Sequence, residues 1–296
     1  ISKNFITMGI YISTGGFSEL SADKTSEQLI AMGISSIELS GGKFSKDILE
    51  NLDKLKKKAN FQIHNYFPPP SIPFVLNLAS QDKEVSKLSL NHVDRALDCC
   101  AKLHAKYYSF HAGFLCDLKI SEIGRQIKKR KLYNRKKSIE LFLERILSIS
   151  KKAEDRGIQI MIENNVLSAN NKKEFQDNPL LMCDSKESIE IMKQVPKNVK
   201  FLIDVAHLKV SANSLKFDPK KMMDECRIYI GGYHLSDNNG LSDTNESFSK
   251  NAWFWKYLNP DLDYYSIEVY GQSINELKKL KEIVDQNLNK SKYKNG

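Results

Sequence analysis

No stretch of this 296-residue chain is apolar for long enough to cross a bilayer. The start, Ile1-Ser-Lys-Asn-Phe-Ile-Thr-Met-Gly9, lacks the extended apolar segment of a secretory leader. Both absences point to a cytoplasmic protein with no membrane partner. Cysteine is scarce and odd in number: Cys99, Cys100, Cys116, Cys183 and Cys226. None stands in CxxC or zinc-finger spacing, which argues against a disulfide framework and for scattered reduced thiols. Only Cys116 and Cys183 fall in predicted loops, where a thiol has access to a metal. There is no low-complexity linker and no short internal repeat, so the chain reads as a single domain over 1–296.

What is present suffices for one large core, since 41% of the residues are hydrophobic. The net charge is +9. Lysines cluster at Lys54 to Lys58, at Lys128 to Lys131 and at Lys278 to Lys281. Such clusters suit solvated helix faces, and equally the attraction of an anionic partner such as a sugar phosphate or a nucleic acid. The polar end, 289–296, is predicted to be a disordered tail.

Strand-like and helix-like segments alternate throughout. Predicted strands cover about 5–12, 34–39, 61–64, 106–111, 158–163, 200–204, 227–234 and 264–268. Predicted helices cover about 24–32, 45–58, 86–104, 135–156, 185–195, 218–226 and 273–290. Read as eight strand-then-helix units without a linker, this pattern predicts an α/β fold, a (β/α)8 TIM barrel. Long loops are expected after strands 3 to 7, and 67–80 and 236–262 are candidate substrate walls or lids. Trp253, Phe254 and Trp255 lie in the second of these and read as an apolar anchor for the loop.

Four apolar runs end in a metal-ligand residue type. Glu163 ends Ile-Gln-Ile-Met-Ile-Glu, Asp204 ends Lys-Phe-Leu-Ile-Asp, His234 ends the run from Arg227, and Glu268 ends Tyr-Tyr-Ser-Ile-Glu. A barrel of this type keeps its active site at the C-terminal ends of its strands. Three carboxylates and one imidazole form a hard donor set that favours Mn2+, Mg2+ or Co2+ and is also compatible with Zn2+. His64, His111 and His207 fall on the same rim, whereas His92 and His104 belong to a predicted helix.

These residues carry a resemblance. Phe110-His-Ala-Gly113, Ile160-Met-Ile-Glu-Asn164, Ile203-Asp-Val-Ala-His207, Tyr233-His-Leu-Ser-Asp237 and Ser266-Ile-Glu268 resemble the motifs of the xylose isomerase-like TIM barrels. That superfamily holds sugar and sugar-phosphate isomerases and epimerases, and is related to the type-IV apurinic endonucleases. The resemblance implies a divalent-metal-dependent isomerase or epimerase, with Glu163, Asp204, His234 and Glu268 holding the ion. It further implies that Glu163 and Glu268 are catalytic, moving a proton beside a carbonyl through an enediolate. His64, His111, His207 and Lys209 then become candidate substrate contacts for a small sugar or sugar phosphate. Dimers are common in such families, so a homodimer is an expectation.

Two alternatives use the same scaffold: a zinc-dependent apurinic/apyrimidinic endonuclease, and a metal-dependent dehydratase of a hydroxylated acid or cyclitol. The endonuclease members build a three-zinc cluster with further histidines and an Asp-x-His pair. Here Asp243 matches the aspartate, but Asn245 stands in the histidine position and no Gly-Glu-Gly follows. An amide is a poorer zinc ligand than imidazole. The epimerases of free ketoses carry a Glu and an Arg soon after the first metal Glu and the metal His. Ala169 and Gly240 stand six residues after Glu163 and His234 here.

Overall fold

The computed structural model describes residues 9–294 of the chain. Eight parallel strands form one closed barrel in sequence order. They are β1 (Ile10–Ser13), β2 (Ser36–Ser40), β3 (Asn60–His64), β4 (Tyr107–His111), β5 (Gln159–Glu163), β6 (Val199–Asp204), β7 (Ile230–Leu235) and β8 (Tyr265–Ile267). Ile10 and Ile12 of β1 pair with Tyr265 and Ile267 of β8, which closes the ring. Residues 5–8 of the first predicted strand lie outside the described residues.

The strand residues divide by parity. Ile37, Leu39, Phe61, Ile63, Tyr108, Phe110, Ile160, Ile162, Phe201 and Ile203 are all buried in the main core, with the apolar faces of the helices. Tyr11, Met161, Leu202 and Tyr264 form a separate cluster. They alternate with the first set along the strands, so they fill the barrel interior rather than the helix interface. Two hydrophobic layers therefore lie on either side of one sheet, and the interior layer forms the floor of the strand-end site.

Around the barrel lie α1 (Ala22–Ala31), α2 (Ile48–Leu55), α3 (Lys83–Leu103), α4 (Arg135–Glu154), α5 (Ala169–Phe175), α6 (Ser185–Met192), α7 (Val205–Leu215), α8 (Pro219–Glu225) and α9 (Ile274–Lys294). Local chemistry starts and stops them. The Asp82 carboxylate accepts from the Glu84 and Val85 amides to cap α3, which ends on His104 in the left-handed conformation. Asn134 caps α4 through the Lys137 amide. No helix among the described residues is long and apolar enough to cross a membrane.

Several expectations need correcting. The segment after β6 is not a long loop: α7 begins at Val205, directly after the strand. Part of the loop after β5 is also helical, as α5. The seventh unit carries no α-helix, only a 3-10 turn at Trp255–Tyr257. The tail expected over 289–296 is helical as far as Lys294, because Leu280, Val284 and Leu288 bury one face of α9. Residues 295–296 lie outside the described residues. Phe254 is fully buried and Trp255 nearly so, both packed on Phe248, so the aromatic cluster does anchor its loop.

Candidate metal centre

The barrel register sets the donors at one level. His111 of β4 lies opposite Glu163 of β5, Asp204 of β6 opposite His234 of β7, and His64 of β3 opposite Ser40 of β2. Glu268 follows the last residue of β8. Possible ligand atoms of His64, Glu163, His234 and Glu268 lie within 4.8 Å of one another, and so do those of a second set, His111, Glu163 and His207. Glu163 belongs to both sets and is completely buried.

Its two oxygens face different neighbours. Oε2 lies 3.5 Å from His64 Nε2 and 3.4 Å from His111 Nδ1. Oε1 lies 3.3 Å from His234 Nδ1 and 3.5 Å from His207 Nδ1. Neither oxygen has a hydrogen-bond partner. His234 Nδ1 sits 3.0 Å from Glu268 Oε2, yet it too lacks a well-formed hydrogen bond, as do Asp204 Oδ2 and His111 Nδ1. Buried polar atoms left unpaired are costly. Here five of them are metal-ligand atom types around Glu163: four belong to residues of the two sets, and the fifth to Asp204, which stands in neither set. Each set fits a divalent cation, which would satisfy the open atoms within its reach.

Without a cation, the crowding of these groups shows in their protonation. Burial disfavours charge on Asp204 and pushes its carboxyl up to about 7, although His207 pulls the other way. Burial also disfavours the charged imidazole of His234, but the Glu38 and Glu163 carboxylates outweigh it and hold its pKa well above the usual histidine range. His111 goes the other way: burial takes it down to about 4, despite Glu163. A neutral imidazole is the form that ligates.

The other expected residues are placed as follows. Asp204 Oδ1 accepts the His207 amide at 2.7 Å, capping α7. His207 donates from Nδ1 towards the Asn164 carbonyl and pairs through Nε2 with Asp243 Oδ2 at 3.0 Å. His64 Nδ1 is held by Ser109 Oγ at 2.9 Å. Lys209 is on the first turns of α7, where it pairs with Asp237 Oδ1 at 2.6 Å and with the Asn238 carbonyl. That lysine ties α7 to the loop after β7. Asn245 has positive φ and takes its place in the backbone, its side-chain oxygen accepting from Ser236 Oγ. Cys116 and Cys183 sit in a small apolar cluster with Ile127, Leu167 and Leu180, and burial pushes the Cys116 thiol up to about 11.

Sequence reading missed Glu38. It is wholly buried in the barrel interior, and its Oε2 accepts from His234 Nε2 at 2.8 Å and from the Tyr264 hydroxyl. Burial works to raise the Glu38 pKa, but His234 overrides it and brings the carboxyl down to about 2. Gly232 makes room for this arrangement, since a Cβ there would lie 2.8 Å from the Tyr264 ring. The available signal was a lone carboxylate in the apolar strand Ser36-Ile-Glu-Leu-Ser40. Asn164 was also passed over; its side chain accepts from the Asp204 amide at 2.8 Å and donates to the Asp204 carbonyl at 3.2 Å. Tyr270 donates to Glu268 Oε1 at 3.0 Å.

Known proteins share this fold. Over 206 residues the chain is 27% identical to an uncharacterized protein of Methanocaldococcus jannaschii, covering 68% of this chain and 69% of that one. A D-tagatose 3-epimerase-like protein superposes with a TM-score of 0.70 at 20% identity, covering 97% of this chain and 99% of that one. An L-ribulose 3-epimerase gives 0.68 at 15% identity, with 96% of both chains covered. A Thermus thermophilus protein soaked with ZnCl2 gives 0.61 at 19% identity, covering 94% of this chain and 99% of that one. At these identities the structural likenesses establish the fold. The family description "Xylose isomerase-like TIM barrel" matches residues 27–280, and the chain belongs to that family.

Proposed function

We propose that the protein is a divalent-metal-dependent isomerase or epimerase of a small sugar or sugar phosphate. The observation that carries this reading is the convergence of buried, unpartnered ligand atoms on Glu163, with Glu268 as the second carboxylate of the same set. Glu163, Asp204, His234 and Glu268 would hold the ion. When bound, it would supply positive charge against the carbonyl and neighbouring hydroxyl oxygens of the substrate, which acidifies the adjacent C–H. One glutamate would take the proton beside the carbonyl and the other would return it. Tyr270 would steady Glu268 through its hydroxyl. His207, fixed by Asp243 and Asn164, and His64 and His111 would contact substrate hydroxyls. The structural relatives that bear epimerase names support the reading at the level of reaction class.

One observation favours a second reading. The two oxygens of Glu163 face two different histidine pairs, as a carboxylate bridging two cations would. A two-ion centre suits phosphodiester hydrolysis, including cleavage of abasic DNA. The net charge of +9 suits such a substrate.

The test is solvent exchange. Metal-loaded protein is incubated in D2O with a panel of ketoses and their phosphates, and deuterium is located by NMR. The expected result is incorporation next to the carbonyl of at least one substrate, lost in Glu268→Gln. Chelator-sensitive cleavage of an abasic duplex, with no exchange in any ketose, would transfer the assignment to the second reading.

A further inference from the structure

Away from the strand-end site, a cleft of about 900 Å3 opens on the flank of the barrel. It is formed by α8, the 3-10 turn at Trp255–Tyr257, the return of the chain towards β8, and the far end of α9. Arg227 precedes β7 and Asp261 precedes β8, so the cleft lies towards the start of those strands, opposite the metal donors. Its walls carry Lys220, Arg227, Lys250, Lys256 and Lys290 against a single carboxylate, Asp261. Five cations to one anion is far from the chain as a whole, where 45 basic residues face 36 acidic ones. The excess is therefore local.

The cations are also uncommitted. Among the described residues, Arg227 has Asp224 at 3.7 Å, while no carboxylate lies within salt-bridge distance of Lys220, Lys250, Lys256 or Lys290. Lys220 Nζ stands 5.9 Å from the centre of the Tyr257 ring. Like charges crowded in one concavity repel, and a bound polyanion relieves that repulsion. The aromatic content supplies the second half of the argument. Trp253, Trp255 and Tyr257 line the same cleft. Trp255 Nε1 is satisfied by the Ser249 carbonyl, but Trp253 Nε1 is buried with no acceptor. That nitrogen is closed off and Trp255 is nearly buried, so the half-buried rings of Trp253 and Tyr257 are the faces left to a ligand. Beside unpaired lysines they form an arrangement that receives a phosphate ester joined to a planar group.

We propose that this cleft binds a ligand bearing two or more phosphates and a planar ring, a chemistry shared by nucleoside polyphosphates and single-stranded nucleic acid. The ligand is held and not turned over, because the metal donors lie at the other end of the barrel. The site is independent of the reaction assigned to that end.

Trp253 and Trp255 are the two tryptophans of the chain, so intrinsic fluorescence reports directly on the cleft. The full-length protein is titrated with tripolyphosphate, with ATP and with a short single-stranded oligonucleotide, and the stoichiometry is read by equilibrium dialysis. The expected result is a saturable fluorescence change at one ligand per chain, weakened by added salt. ATP binding tighter than tripolyphosphate assigns a role to the ring faces. Tighter binding of the oligonucleotide, with a steeper salt dependence, identifies the strand as the source. Lys220→Glu/Lys256→Glu should weaken binding by about tenfold or more, while Lys136→Glu/Lys279→Glu, the same charge change on faces outside the cleft, should not. Absence of saturable binding, or binding equally weakened by both pairs, overturns the proposal.

Discussion

His234 and Glu38 are joined by a 2.8 Å contact between Nε2 and Oε2, with neither side chain exposed to solvent. The carboxylate accepts, so Nε2 keeps its proton, and it is Nδ1, facing Glu163 and Glu268, that would give up its own to a cation. An outer carboxylate thereby decides which nitrogen is available as a ligand. Glu38→Gln is expected to weaken Co2+ or Mn2+ binding by about tenfold to a hundredfold, with an unchanged circular dichroism spectrum. Competition with a chelating dye measures it. Wild-type affinity in a folded Glu38→Gln protein would show that Glu38 only fills space.

Metal removal is expected to lower stability. Without a cation, the Glu163 and Glu268 carboxylates share one set, and among the described residues no lysine or arginine lies within salt-bridge distance of either. At a thousandfold excess of ion over its Kd, binding to the folded state alone contributes about 4 kcal/mol. Exhaustive treatment with EDTA should therefore lower Tm by several degrees, and Mn2+ should restore it. Identical melting curves with and without EDTA would argue against a tight site.

The interior histidine of α3 gives a pH signature. Burial takes His92 from 6.5 down to about 4, while its Nε2 faces the Asn65 carbonyl. The unfolded chain binds this proton more readily than the folded one between those values, so stability falls as pH drops from 6.5 towards 4. For this group alone the loss between pH 7 and pH 5 is about 2 kcal/mol. Chemical unfolding at both pH values should show a shallower pH dependence in His92→Gln than in the wild type. Parallel profiles would refute the assignment.

Gly113 closes the motif after β4. A Cβ there would lie 2.1 Å from the Ala79 Cβ and 2.9 Å from the Ala79 amide nitrogen. Gly113→Ala is expected to destabilise by about 1–3 kcal/mol, and an added Ala79→Gly should recover part of it. Denaturant midpoints of the three variants decide the matter; an unaffected Gly113→Ala would show that the two loops move apart freely.

Much of the barrel and its rim is legible in the amino-acid sequence. The apolar runs ending at Glu163, Asp204 and His234 are β5, β6 and β7, because a strand buried on both faces has no room for polar residues until it reaches the rim. Glu38 is opaque for the converse reason. In Ser-Ile-Glu-Leu-Ser a single acid between apolar residues reads as the solvent face of a strand, and only barrel closure turns that face inward. Helix α7 escapes notice because Val205, Ala206, Leu208, Val210 and Ala212 are all buried, which removes the amphipathic stripe by which helices are recognised. The short α5, capped by Ser168, is polar enough to pass for loop. The pairing of Lys209 with Asp237 depends on two elements meeting in space, and nothing in the spacing of those residues announces it.

The capping role of Asp204 has one more consequence. Its Oδ1 is held by the His207 amide while Oδ2 is left open. The carboxylate cannot rotate without releasing the first turn of α7. Helix capping therefore leaves Oδ2 as the oxygen that Asp204 would offer to a cation, and ties that offer to the integrity of the helix start.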